Sequence, residues 1–181
     1  IGRGFAAING TYFDTSAAKK NYYFFPIYDS LKKVFINEDQ MKYWTTGPIM
    51  AFDTANKFYY FKDSREFKSV SNFETMQGVR LQAAIGNKPR LVEDGYSYII
   101  DWEVDEKQRT VKTLRNAIGW TPDNKIQLVV AQKATVPDLA YIMVELGSRY
   151  ALNLDGGGST ALMYGGVYKL GPGRNVVNAI V

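Results

Sequence analysis

The sequence predicts an α+β fold: one domain over residues 1–181, built on a mixed, largely antiparallel sheet with a few packed helices. Three observations carry this. β-prone runs are joined by turn residues at hairpin spacing, "IMAFD" to "KFYYF" around "DTAN" and "RNAIGW" to "IQLVVAQ" around "TPDNK". One clear amphipathic helix, at about 136–147, runs directly into the strand "ALNL". The chain has 181 residues, 46% apolar and 14% aromatic, which is enough for one core, and no run of about 18 apolar residues that would span a membrane.

The elements follow in order. "GFAAIN" is a strand running into "GTYFD", and "YYFFP" is a second. Because "GFAAIN" begins within four residues of Ile1, its sheet neighbour is expected from sequence upstream, and the absence of Met at the start predicts a fragment or processed product. Ser71 with Glu74 three residues on reads as a capping box opening a helix to about Gln77. "AAIG" and "RLVEDG" are strands, and the charged "DWEVDEKQRTVK" reads as a surface loop or strand edge. Thr135 and Asp138 make a second capping box with Pro137 in the first turn. Leu139, Ile142, Met143 and Leu146 form the stripe that packs on the sheet, and Gly147 ends the helix. Glu145 lies off the stripe and is read as solvated. "ALMY", a Gly-Gly turn, "VYKL", "GPG" and "VVNAIV" complete the strands.

The residue inventory restricts the chemistry. There is no histidine and no cysteine, so Ser-His-Asp and Cys-His relays, imidazole metal ligation, thiolate nucleophiles and disulfides are all excluded. Acid-base work falls to Asp, Glu, Tyr or Lys, and anion recognition to Arg, Lys or backbone amides. The net charge of +4, spread singly or in pairs, favours acidic ligands only weakly, and no nucleic-acid partner is expected.

The most informative stretch is "ALNLDGGGSTALM". A buried strand ends in Asp155, followed by Gly156, Gly157 and Gly158, with hydroxyls at Ser159 and Thr160. Glycines free to adopt positive φ let amides converge beside a carboxylate and bind an anion. The segment lacks the Gly-Lys-Ser/Thr ending of a nucleotide-binding loop. On spacing alone it fits equally a tight turn in which Asp155 merely accepts amide hydrogen bonds.

"ALNLDGGGSTALM" resembles the signature of the phosphodiester glycosidase family, and further motifs follow in the family's order. "AINGTYFD" resembles "INGGFFD", "RLVEDG" resembles "LV-x-x-G", "LRNAIGW" resembles "PRTAIG", and "GRNVVNAIV" resembles the closing strand. The resemblance implies a hydrolase that cleaves the bond between a sugar's anomeric carbon and a phosphodiester. It places Asp155, Arg115 and Arg174 in catalytic roles, and Asn9, Gly10, Asp14, Asn153, Gly156, Gly157, Gly158, Ser159 and Thr160 in substrate binding. It also implies an extracytoplasmic location. The chain departs from the pattern at Thr11 and Tyr12, and at Leu114 and Asn116, where the motif has Pro and Thr on either side of the Arg. The missing threonine removes a hydroxyl that would help to hold a phosphate.

The chemistry fits the inventory. Guanidinium forks at Arg115 and Arg174 would hold a phosphate, and Asp155 would act as acid-base or nucleophile. Asp14 and Asp155 offer oxygen ligands, but no spaced carboxylate loop is present, so no metal and no other cofactor is expected. Two other readings keep the same residues: a non-catalytic carbohydrate- or phosphate-binding domain, and a glycosyl-phosphate transferase. The aromatics of "NYYFF" and "KFYYF" suit sugar stacking but more often fill cores. The sequence does not give the sugar, the aglycone or the oligomeric state.

Overall fold

A computed structural model describes residues 4–14, 23–43 and 45–181. The fold is α+β, and every strand pairing among the described residues is antiparallel, with the strands shared among three sheets. The chain forms two compact units: one holds Ile1–Gly10 with Pro89–Val181, the other Thr11–Lys88.

Strand β1 (Ala6–Asn9) belongs to the first unit. The second unit contains β2 (Ile27–Asp29), β3 (Val34–Ile36), β4 (Ile49–Asp53), β5 (Phe58–Phe61), helices α1 (Ser64–Phe67) and α2 (Val70–Gln77), and β6 (Leu81–Gly86). Its sheet runs β3-β2-β6-β4-β5. The expected β4–β5 hairpin is present, turned by Asp53, whose carboxylate accepts from the amides of Ala55 and Lys57. Two aromatics of "KFYYF" are half-buried and pack on the core: Phe61 meets Phe67 edge-on at 5.3 Å, and Tyr59 meets Phe73 at 5.0 Å.

Two expectations in this unit need correction. The strand proposed over "YYFFP" begins only at Ile27, after Pro26; Tyr22 lies outside the described residues. Helix α2 is capped by Ser69 rather than Ser71, with the Ser69 hydroxyl accepting from the Asn72 amide at 3.0 Å. Glu74 instead reaches forward to accept from the Leu81 amide and from Arg80, joining the helix to β6.

The rest of the first unit comprises β7 (Arg90–Glu93), β8 (Tyr96–Ser97), α3 (Glu106–Thr110), β9 (Thr113–Trp120), β10 (Ile126–Ala134), α4 (Val136–Glu145), β11 (Tyr150–Leu154), β12 (Leu162–Tyr164), β13 (Val167–Leu170) and β14 (Ala179–Ile180). One sheet runs β10-β9-β11-β7-β8, and a smaller one runs β13-β12-β1-β14. Strand β1 therefore takes both neighbours from the C-terminal end of the chain, which replaces the expected upstream partner. Ile1 itself lies outside the described residues.

Helix α4 forms as its sequence demands. Thr135 and Asp138 complete the capping box at 2.9 and 3.1 Å, and Pro137 sits in the first turn. Leu139, Ala140 and Met143 are fully buried against Leu91, Val92, Ala117 and Ala151, each of the larger side chains contributing about 1.5–3 kcal/mol. The helix lies close because β9 presents small residues. A Cβ at Gly119 would come within 2.6 Å of Met143 Cε. Leu146, assigned to the stripe, is instead exposed at the helix end, and Glu145 is exposed as expected.

The charged segment read as a loop or edge is helical. Asp105 and Gln108 form a capping box on α3, a signal with the same spacing as that at Thr135. Just before it, Glu103 is buried and bonded to Arg90 at 2.8 Å, while Arg90 also reaches Glu93 at 3.1 Å. This buried ion cluster fastens the 101–103 turn to β7.

Candidate functional site

Strand β11 delivers Asp155 to its end, where the Asp155 amide donates to the Gly10 carbonyl at 3.0 Å. The chain then makes a tight 3-10 turn over Gly157–Ser159. Two glycines are needed here for distinct reasons. Gly157 has φ +56, in the left-handed region, and a Cβ at Gly156 would lie 2.7 Å from the Leu114 carbonyl oxygen, so only glycine lets the segment pass β9 this closely. The amides of Ser159 and Thr160 bond back to Gly156 and Gly157 within the turn. Those of Gly157 and Gly158 take no part in it.

Arg174 comes to the same place from the loop between β13 and β14. The Gly173 amide donates to the Gly158 carbonyl at 3.1 Å and fixes the loop against the turn. The Arg174 Nε then donates to the Ser159 Oγ at 2.7 Å, and its Nη2 lies 3.4 Å from the Asp155 Oδ2. Asp155 keeps only 10% of its side-chain surface in solvent, whereas Arg174 keeps 43%, so the cation is open to an arriving anion and the carboxylate sits behind it.

Burial raises the Asp155 carboxyl above the ordinary aspartate range. The Ser159 hydroxyl, the charge and hydrogen bond of Arg174, and the Gly156 amide oppose that rise without cancelling it. A carboxyl so placed retains a proton to higher pH than a solvated aspartate and is a stronger base once ionised. The turn thus places a buried carboxyl with a raised pKa beside a half-exposed guanidinium.

The remaining sequence-predicted residues divide. Asn9 is buried and structural: its Nδ2 donates to the Asp155 carbonyl at 2.6 Å and its Oδ1 accepts from the Ala161 amide at 2.9 Å. Gly10 contributes backbone on both sides, accepting from Asp155 and donating to the Asn178 carbonyl. Asn153 is fully buried, with its Nδ2 on the Leu154 carbonyl, and Thr160 is buried to 1% exposure. Asp14 belongs to the other unit.

Arg115 has its guanidinium on backbone carbonyls. Its Nε donates to the Ala134 carbonyl, and its Nη2 donates to the carbonyls of Lys107 and Val111 at 3.1 and 3.0 Å, tying down the C-terminal end of α3. The reason is strand alternation. Neighbouring residues of β9 point to opposite faces, with Ala117 and Gly119 marking the α4 side, so Arg115 shares that side and Asn116 faces the other way. Asn116, not singled out as a site residue, is what β9 sends toward Asp155: its Nδ2 lies 2.6 Å from both the Asp155 carbonyl and Asn9 Oδ1. A buried asparagine alternating with apolar neighbours in a strand is the signal that would have found it. No group of three or more Asp or Glu side chains suited to a metal occurs among the described residues, and none of their helices is long and apolar enough to cross a membrane.

The phosphodiester glycosidase family pattern matches residues 4–181. In fold, the chain is similar to the zebrafish N-acetylglucosamine-1-phosphodiester alpha-N-acetylglucosaminidase catalytic domain auto-inhibited by its pro-peptide, at TM-score 0.67 and 17% identity over 92% of this chain and 55% of that one. It is also similar to a hypothetical protein from Synechocystis, at TM-score 0.63 and 12% identity over 98% of this chain and 51% of the other. The chain thus spans about half the length of these solved structures. No curated protein matches it by sequence.

Proposed function

The chain belongs to the phosphodiester glycosidase family, and from that premise we propose that it hydrolyses the bond between a sugar's anomeric carbon and a phosphodiester. The observation that carries this reading is the Asp155–Ser159–Arg174 constellation on the family's own signature. The exposed part of the Arg174 guanidinium takes the phosphate charge, and Ser159 holds that guanidinium at a fixed distance from the carboxyl. Asp155 acts at the anomeric carbon, as base toward water or as nucleophile, the choice being set by its separation from any second carboxyl group. The departing phosphate monoester is a stable anion and needs little help from an acid. Water adds to the anomeric carbon, the carbon–oxygen bond to phosphate breaks, and the products are free sugar and phosphomonoester. The substrate class is a sugar-1-phosphodiester of a glycoprotein, wall polymer or exopolysaccharide, met outside the cytoplasm.

The purified chain, incubated with a panel of sugar-1-phosphodiesters, is expected to release free sugar and phosphomonoester in equal amounts, and Asp155→Asn is expected to release neither. A folded Asp155→Asn protein cleaving at the parental rate would remove Asp155 from the mechanism. Added sugar acceptors separate hydrolysis from transfer: a new glycoside in place of free sugar would assign the chain to the transferases.

A further inference from the structure

We propose that Asn116 is a positioning residue for Asp155, clamping the Asp155 peptide group so that the carboxyl meets Ser159 and Arg174 in a single pose. This rests on the reading of Asp155 as the reacting carboxyl. The segment after Asp155 is three glycines with no side chains to pack, so the pose of Asp155 depends on what holds its backbone. Its amide is held by the Gly10 carbonyl. Its carbonyl receives two donors, Asn9 Nδ2 and Asn116 Nδ2, each at 2.6 Å.

The orientation of both amides follows from one fixed group. The Ala161 backbone amide can only donate, so the Asn9 atom facing it at 2.9 Å is Oδ1, and Asn9 Nδ2 must then face the Asp155 carbonyl. Asn116 lies 2.6 Å from two acceptors, Asn9 Oδ1 and the Asp155 carbonyl, and only an NH2 group can serve both. Its own Oδ1 is buried and has no hydrogen-bond partner among the described residues. Threonine, the residue of the family motif at this position, offers a single donor on a shorter stem and cannot make both bonds.

The test reads the carboxyl directly. Protein carrying 13C at the aspartate carboxyl carbon is titrated by NMR, and the Asp155 signal is identified by its absence in Asp155→Asn. In Asn116→Ser, the loosened carboxyl is expected to lose its fixed relation to Arg174, Ser159 and the Gly156 amide, the groups that hold its midpoint down against burial, and that midpoint is expected to rise further above the ordinary aspartate range. The kcat on a sugar-1-phosphodiester should fall by roughly 10- to 100-fold while KM stays near the parental value. Should that variant fail to fold, Asn116→Thr retains one donor and should give an intermediate midpoint. An unchanged Asp155 titration in either folded variant overturns the proposal. A shifted midpoint in a chain that turns over no phosphodiester leaves the clamp standing and removes the glycosidase reading instead.

Discussion

Replacing Arg90 by methionine removes the single cation of the buried cluster and leaves two carboxylates facing each other. The structure sets the scale. Arg90 and Glu93 each keep 8% of their side-chain surface in solvent and Glu103 keeps none, so water cannot take over the lost partner. The Arg90 Nε bonds to both Glu103 oxygens, the Nη2 bond to Glu103 Oε1 and the Nη1 bond to Glu93 vanish together, with the cation over the Tyr98 ring at 5.9 Å. Removing one partner of a buried ion pair costs about 3–5 kcal/mol, and the whole of that is expected in Arg90→Met. The double change Arg90→Met with Glu103→Leu removes the orphaned charge as well and should recover much of the loss, because an apolar pair of similar volume is often neutral. Urea denaturation of the parental, single and double variants measures this. A loss below about 1 kcal/mol in Arg90→Met, or a double variant no more stable than the single one, would show that the cluster is hydrated and that the 101–103 turn is held by something else.

Three further outcomes follow from the site. Asp155 has its folded pKa raised by burial, so its stabilising contribution is complete below the ordinary aspartate value of about 3.9 and is lost as pH rises through the folded value; Asp155→Asn should therefore melt at or above the parental temperature at neutral pH, and a clear drop there would contradict the assignment. Arg174→Lys should raise KM for a phosphodiester with little change in melting temperature, whereas Arg115→Lys should cost about 1–3 kcal/mol of stability as its carbonyl bonds are lost and leave KM alone; the opposite pattern would return Arg115 to the site. Gly156→Ala, with its Cβ 2.7 Å from the Leu114 carbonyl, should cost about 1–3 kcal/mol in a thermal melt. Gly158→Ala meets only Arg174 Cδ at 4.0 Å and serves as the matched control.

Local signals in the sequence were reliable where one physical cause dominates. The Thr135–Asp138 box, the 3.6-residue stripe of α4 as far as Met143, and the β4–β5 and β9–β10 hairpins stand as read, because capping, periodicity and turn chemistry act over a few residues. Where two candidates compete, local reading fails. Ser69 and Ser71 both offer a capping hydroxyl, and Ser69 caps while Ser71 lies inside α2 because Glu74 is drawn to Leu81 and Arg80 by a contact outside the helix. At the site, the glycines, Ser159, Asp155 and Arg174 were legible through the resemblance, but the choice between Arg115 and Asn116 was not. Adjacent strand residues exchange roles with the face that the helix covers, and that is decided by packing from Leu139 and Met143, far along the chain.

The position of β1 between β12 and β14 has a consequence for the order of folding during synthesis. Asn9 ends β1 and Leu162 begins the first strand that pairs with it, 162 − 9 = 153 positions later. At roughly 5–20 residues per second on a ribosome, β1 waits on the order of 10–30 s with both edges unpaired. Over that interval the intervening unit, Thr11–Lys88, emerges as one continuous stretch and has all the strands of its own sheet. Translation thus sets an inside-out order, in which the inserted unit is able to close first while the unit carrying Asp155 must hold an open strand until β12 and β14 arrive.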